Sequence, residues 1–148
     1  MTRQNGDAPL RVLFVCTGNT CRSPMAQAVL TALRPEICAL SAGLYPVQGE
    51  PITPQAVQAL HDAGILCDEH NPYESHTATP VDELTVLSCD RIIGMTERHA
   101  MQLLMQYPAA ASKISAMPPP IADPFGGTVE QYRACLAQIT AGIREMFP

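Results

Sequence analysis

Leu10-Arg11-Val12-Leu13-Phe14-Val15-Cys16-Thr17-Gly18-Asn19-Thr20-Cys21-Arg22-Ser23-Pro24 decides the fold, because three kinds of local structure follow one another in this stretch. Leu10 to Val15 is a short apolar run rich in β-branched and aromatic side chains, which predicts a buried strand. A glycine-containing loop comes next. Ser23 suits the cap of a helix and Pro24 its first position, where the missing N–H costs nothing, so a helix is expected through about Leu33.

The alternation continues outward. Ile37 to Ala42 reads as a second strand, and Thr53 to Gly64 as a helix with Pro54 at its start and Gly64 at its end. Val81 to Ser88 is a short helical stretch, Arg91 to Met95 a third strand, Glu97 to Gln106 a helix and Lys113 to Met117 a fourth strand. Pro118-Pro119-Pro120 forces an extended loop. Beyond Gly127, apolar residues at Val129, Tyr132, Leu136, Ile139 and Ile143 recur at helical spacing to the end. Strands alternating with helices predict an α/β fold of three layers, a parallel sheet with helices on both faces. In such sheets ligands sit beyond the carboxyl ends of the strands, where the loop after Val15 falls.

At 148 residues the chain fits one domain over 1–148, with residues 1–9 as a flexible leader. Hydrophobic residues make up 47% and charged residues 16%, the balance of a soluble globular protein. A net charge of −5, with no cluster of Lys and Arg, argues against a nucleic-acid partner. The apolar start is too short for a signal-peptide core or a membrane span, and no small residues precede Cys16 as a lipoprotein cleavage site would require. A cytoplasmic monomer with no membrane partner is expected. Cys38, Cys67, Cys89 and Cys135 show no paired zinc-ligand spacing and are read as buried small hydrophobes, with Cys89 opening the third strand.

Chemistry concentrates in residues 16–23. A loop joining a strand to a helix can curl the backbone N–H groups of Thr17, Gly18, Asn19, Thr20, Cys21, Arg22 and Ser23 around an anion while the helix N-terminus faces it. Gly18 and Asn19 tolerate the positive φ that a tight nest demands, and the planar fork of Arg22 can bind two phosphoryl oxygens. Inward amides, helix dipole and the Arg22 charge favour Cys16 as a thiolate nucleophile, and the Ser23 hydroxyl can bond to its sulfur. In-line attack gives a phosphocysteine with no metal or cofactor. No histidine lies in the loop to protonate the leaving group. Asp123, on a stiff loop between the proline run and Pro124-Phe125-Gly126-Gly127, can give that proton and later take one from water; an Asp-Pro is otherwise an ordinary turn.

Val-Leu-Phe-Val-Cys-Thr-Gly-Asn-Thr-Cys-Arg-Ser-Pro-Met-Ala, residues 12–26, resembles the signature of the low-molecular-weight protein tyrosine phosphatase family. Ser41-Ala42-Gly43, His76, the stretch Asp90 to Thr96 and Asp123-Pro124-Phe125-Gly126-Gly127 fall in the family's order and spacing, covering nearly the whole chain from Leu10. The resemblance implies a four-stranded parallel sheet, Cys16 as nucleophile, Arg22 as phosphoryl binder and Asp123 as general acid. It makes Asn19, Ser41 and His76 the residues that lock the loop by hydrogen bonds. The basic segment usual around the family's histidine reads here His76-Thr77-Ala78-Thr79-Pro80, without arginines.

Tyrosine-directed members commonly carry a bulky aliphatic residue where this chain has Thr20, and aromatic residues after the catalytic Asp-Pro. Thr20 with Phe125-Gly126-Gly127 resembles the bacterial protein arginine phosphatase branch, so a phosphoarginine protein substrate is expected, with phosphotyrosine as the alternative. A threonine hydroxyl can hydrogen-bond near a polar P–N bond, and the two glycines leave room for a guanidinium. Tyr45 is expected to line the rim. Cys21 can either trap an oxidised Cys16 as a disulfide or simply pack under the loop. An arsenate reductase would need closely spaced redox cysteines, which Cys67 and Cys89 are not, and a non-catalytic phosphoprotein-binding or oxidant-sensing module would not need Asp123.

Overall fold

The computed structural model describes residues 8–148; of the expected leader, residues 1–7 lie outside the described residues. Four strands, β1 (Arg11–Cys16), β2 (Cys38–Gly43), β3 (Arg91–Gly94) and β4 (Ile114–Ala116), form a parallel sheet in the order β2-β1-β3-β4. Five helices connect and follow them: α1 (Arg22–Leu33), α2 (Pro54–Asp62), α3 (Glu83–Ser88), α4 (Glu97–Gln106) and α5 (Val129–Met146). The register sets Cys16 opposite Gly43 on one side, and Val15 opposite Gly94 on the other. The carboxyl ends of three strands therefore converge at one edge.

β1 is central and buried on both faces, which explains its unbroken apolar run. Val12, Phe14 and Cys16 pack with Met25 and Leu30 of α1, Leu60 of α2, and Tyr132 and Ile139 of α5. Leu13 and Val15 turn the other way, to Val86 of α3 and Leu103 of α4. Strand alternation thus aims Cys16 at the α1–α5 layer.

The expected elements are present, with ends moved by at most two residues where terminal turns fray. Two differences have physical causes. α1 starts at Arg22 rather than at a Ser23 cap: Cys21 occupies the cap position without a capping bond from its side chain, Ser23 is already helical, and Pro24 still lies in the first turn, where no N–H is needed. Cys89 ends α3 instead of opening β3, its N–H bonded to the Thr85 carbonyl. Lys113 explains why α3 stops there, since its ammonium donates to the carbonyls of Val86, Leu87 and Cys89. Cys38 and Cys67 are only half-buried, whereas Cys89 and Cys135 are buried as expected. Single turns of 3₁₀ helix at Tyr73–Ser75 and a longer one at Pro108–Lys113 had no expectation attached.

Gly43 ends β2 hard against the loop that follows β1. A Cβ there would lie 2.7 Å from the Thr17 carbonyl oxygen and 3.1 Å from the Asn19 Cβ, so a side chain could enter only by displacing the loop. Gly43→Ala is expected to destabilise the fold by about 1–3 kcal/mol, measured as a lower urea midpoint with unchanged m-value.

Candidate active site

Residues 17–21 turn the chain from the end of β1 into α1. Asn19 makes the sharpest bend, at φ 57, and is the only non-glycine residue with positive φ among those described. Gly18 tolerates that conformation but does not adopt it, and a Cβ there would meet Thr20 Oγ1 only at 3.8 Å, an ordinary contact. A strained Asn must be held, and four contacts hold it. Its Nδ2 donates to Ser23 Oγ at 2.8 Å and Ser41 Oγ at 3.1 Å, its Oδ1 accepts from the Thr79 N–H at 2.9 Å, and its carbonyl lies 2.8 Å from His76 Nε2. The Ser41 hydroxyl in turn donates to Gln27 Oε1 of α1 at 2.7 Å. Asn19, Ser41 and His76 are therefore brought together as the sequence implied. Burial pushes the His76 imidazole below its ordinary value, with the bond to Asn19 opposing that shift, and a neutral ring donates Nε2–H to the carbonyl.

The Cys16 sulfur is buried and lies 2.9 Å from Ser23 Oγ and 3.3 Å from the Asn19 N–H. Because Ser23 Oγ accepts from Asn19 Nδ2, its own proton is free to point at sulfur. Two donors thus converge on Cys16. Arg22 is buried at the first position of α1, with Nη1 donating to the Ile121 carbonyl at 2.9 Å and Nη2 3.7 Å from Asp123 Oδ2. Asp123 Oδ1 accepts the Phe125 N–H at 3.0 Å, an Asx turn that orients the carboxylate. Half of the Asp123 side chain faces solvent.

These groups surround a cavity of about 200 Å³ walled by residues 16–22, with Tyr45, Val47, Glu50, Asp123 and Phe125 at its mouth. The dimensions and donors suit a tetrahedral oxyanion at the base and its substituent at the mouth. Tyr45 and Phe125 are each 67% exposed there, where the sequence put Tyr45 on the rim. Thr20 is buried in the wall, its hydroxyl 3.7 Å from Cys21 Sγ and its carbonyl accepting the Thr53 N–H at 3.0 Å. Cys21 packs beneath the loop with its sulfur 3.3 Å from the Tyr132 hydroxyl, and burial pushes both groups up from their ordinary values. Both Cys16 and Cys21 are free thiols. Among the described residues no group of three or more His, Cys, Asp or Glu side chains is arranged to hold a metal ion, and no helix is long and apolar enough to cross a membrane.

Sequence reasoning missed several of these residues. Tyr132 was read only as a core position of α5, Gln27 was not singled out, and Glu50 and Val47 lie in a turn without a motif. His99 is the largest omission. It is buried at the first turn of α4, with Nε2 2.9 Å from Thr17 Oγ1 and Nδ1 2.9 Å from Thr96 Oγ1. Its signal was available: Thr96-Glu97-Arg98-His99 begins a helix at the carboxyl end of a strand, where a parallel sheet keeps its site.

The sequence model of the family described as low molecular weight phosphotyrosine protein phosphatase matches residues 11–147. A protein-arginine-phosphatase of Geobacillus stearothermophilus is 34% identical over 134 residues, covering 85% of this chain and 86% of the relative. A low molecular weight protein-tyrosine-phosphatase PtpB of Staphylococcus haemolyticus is 32% identical over 135 residues, covering 88% and 92%. Among solved structures, a YwlE arginine phosphatase mutant with a phosphorylated active site serine superposes with a TM-score of 0.83 at 28% identity, covering 93% of each chain.

Burial, and then the nearby Arg22 and Arg98 charges, lower His99 to about 4, with Asp123 opposing. The unfolded chain therefore binds a proton that the folded chain refuses between pH 6.5 and 4, so stability is full above about 6.5 and falls as pH drops through that window. Unfolding free energy should fall by up to about 3 kcal/mol across it. His99→Gln should flatten that slope, read from denaturant midpoints at successive pH values.

Proposed function

The chain belongs to the low molecular weight phosphotyrosine protein phosphatase family, and from that membership we propose that Cys16, Arg22 and Asp123 hydrolyse phosphoarginine in proteins. The observation that carries the reading is the Cys16 sulfur, seated within 3.3 Å of two donors inside a loop flanked by the buried Arg22. The sulfur is the end of the central strand, and its negative charge is met by fixed dipoles rather than by mobile water.

In the first step the Cys16 thiolate attacks phosphorus in line, a P–S bond forms and the P–N bond to the guanidine breaks. Asp123 gives its proton to the departing nitrogen. The amides of residues 17–22 and the Arg22 fork hold the equatorial oxygens as their charge develops. In the second step the Asp123 carboxylate takes a proton from water, water oxygen attacks the phosphocysteine, and the P–S bond breaks to release inorganic phosphate and the thiolate. The side chains of Asn19, Ser41 and His76 touch no substrate in this scheme; they keep the loop in shape.

The arginine preference rests on Thr20, which lines the cavity, and on the 34% identity to an arginine phosphatase. A phenyl ring seeks apolar contact at that wall, whereas a guanidinium brings N–H donors that a hydroxyl can accept. One observation favours a tyrosine substrate instead: Tyr45 and Phe125 offer aromatic faces at the mouth, as a ring would prefer. Cys21 supports a protective disulfide only weakly, because its buried thiol is held protonated beside Tyr132.

Cys16→Ser should abolish turnover of a generic aryl phosphate. Asp123→Ala should slow hydrolysis of an ester with a poor leaving group by roughly 10²–10⁴ while affecting a good leaving group far less, since only the poor one needs the proton. Steady-state kinetics on the two esters would refute the assignments if Cys16→Ser stays active or the two esters fall alike. Thr20→Ile should cut the ratio of kcat/KM on phosphoarginine to that on phosphotyrosine by about tenfold or more, measured on matched peptides.

A further inference from the structure

Thr17 follows the proposed nucleophile directly and lines the same cavity, and its side chain is bonded to α4 rather than to the rest of the loop. Its backbone is fixed, with the carbonyl accepting the Tyr45 N–H at 3.0 Å. Its hydroxyl is fixed too, 2.9 Å from Nε2 of the buried His99, whose other nitrogen is 2.9 Å from the hydroxyl of Thr96 at the cap of α4. A β-branched threonine presents either its hydroxyl or its methyl to a given side depending on χ1, and the His99 bond selects one rotamer.

Counting hydrogen-bond capacity shows what remains. A hydroxyl has one proton and two lone pairs. If Thr17 donates to His99, both lone pairs stay free; if it accepts from His99, one lone pair stays free. In either tautomer an acceptor is left over, and the residue is exposed, so water satisfies it until a substrate covers it. A phenyl group covering that position would strip the lone pair of water and give nothing back. A guanidinium edge would replace the water with an N–H.

Resting on the reading of a phosphoarginine substrate, we propose that Thr17 is a second specificity-determining residue, accepting an N–H of the substrate guanidinium, and that His99 is the positioning residue that holds it. Thr20 and Thr17 would then present two hydroxyls to the leaving group from within one loop. His99 acts only through Thr17 and touches no substrate.

The test uses matched phosphoarginine and phosphotyrosine peptides with the full chain, and reads the ratio of their kcat/KM values. Thr17→Val should lower the ratio about tenfold. His99→Leu should do the same, His99→Gln, whose amide can still reach Thr17, should restore most of it, and the double variant Thr17→Val/His99→Leu should fall no further than either single one. Loop damage alone would lower both substrates together, leaving the ratio unmoved, and that result overturns the inference. Should His99→Leu fail to fold, Thr17→Val on the cavity surface decides the matter by itself. A wild-type chain that prefers phosphoarginine while Thr17→Val keeps the same ratio refutes the role of Thr17 alone; a wild-type chain without phosphoarginine turnover overturns the substrate reading and this inference with it.

Discussion

The site depends on the left-handed backbone of Asn19. Without that bend the loop could not fold back so that the Asn19 N–H meets the Cys16 sulfur at 3.3 Å. A non-glycine residue there costs of order 1 kcal/mol or more, and asparagine is the residue type best able to recover that cost through its own amide. It does so with bonds to Ser23, Ser41 and Thr79, which tie the loop to α1, to β2 and to the segment after His76. Each bond contributes about 1 kcal/mol, and together they over-determine a shape that the local sequence alone would not keep.

The same network sets the electrostatics. Arg22 is a buried cation at the loop, and the two histidines bonded to that loop are both pushed toward the neutral form by burial. A charged His76 or His99 would add a second cation beside Arg22 and compete with it for an anion bound in the loop. Neutral rings can hold hydroxyls and carbonyls without adding charge. Gly43 completes the arrangement by bringing β2 close enough for Ser41 to reach Asn19, a distance that a side chain at 43 would forbid.

Much of this was legible in the sequence because it is local. The apolar run before Cys16 specifies a strand buried on both faces, and the loop residues carry their chemistry in adjacent positions. Strand and helix order specified the parallel sheet, and Arg22, Asp123, Tyr45 and Phe125 lie around one cavity. What escaped was of two kinds. Ser23 looked like a helix cap because a serine before proline at a helix start usually is one; its hydroxyl was instead drawn to Cys16 and Asn19, a tertiary demand invisible in a local window. His99 and Tyr132 reach the loop across 82 and 111 residues of chain, and at such separations no periodicity reports a contact. Gly18 shows the converse, since a residue permissive for positive φ was present and its neighbour took that conformation.

The remaining constraint concerns the proposed acid, which lies on a separate loop and must still meet the substituent of a group bound by Arg22. After β4 the chain continues alongside β3, the Met117 N–H bonding the Gly94 carbonyl at 2.9 Å and the Ile121 N–H bonding the Met95 carbonyl at 3.0 Å. The Ile121 carbonyl then accepts Arg22 Nη1, two residues before Asp123. Arg22, proposed to hold the phosphoryl group, and Asp123, proposed to protonate its leaving group, are thereby tied to one backbone unit. Three prolines at 118–120 limit the conformations of the intervening chain, so little freedom is left between Met117 and Ile121. A shift of this loop would move the acid and unseat the arginine together, which makes the acid's position a property of the sheet rather than of the loop that carries it.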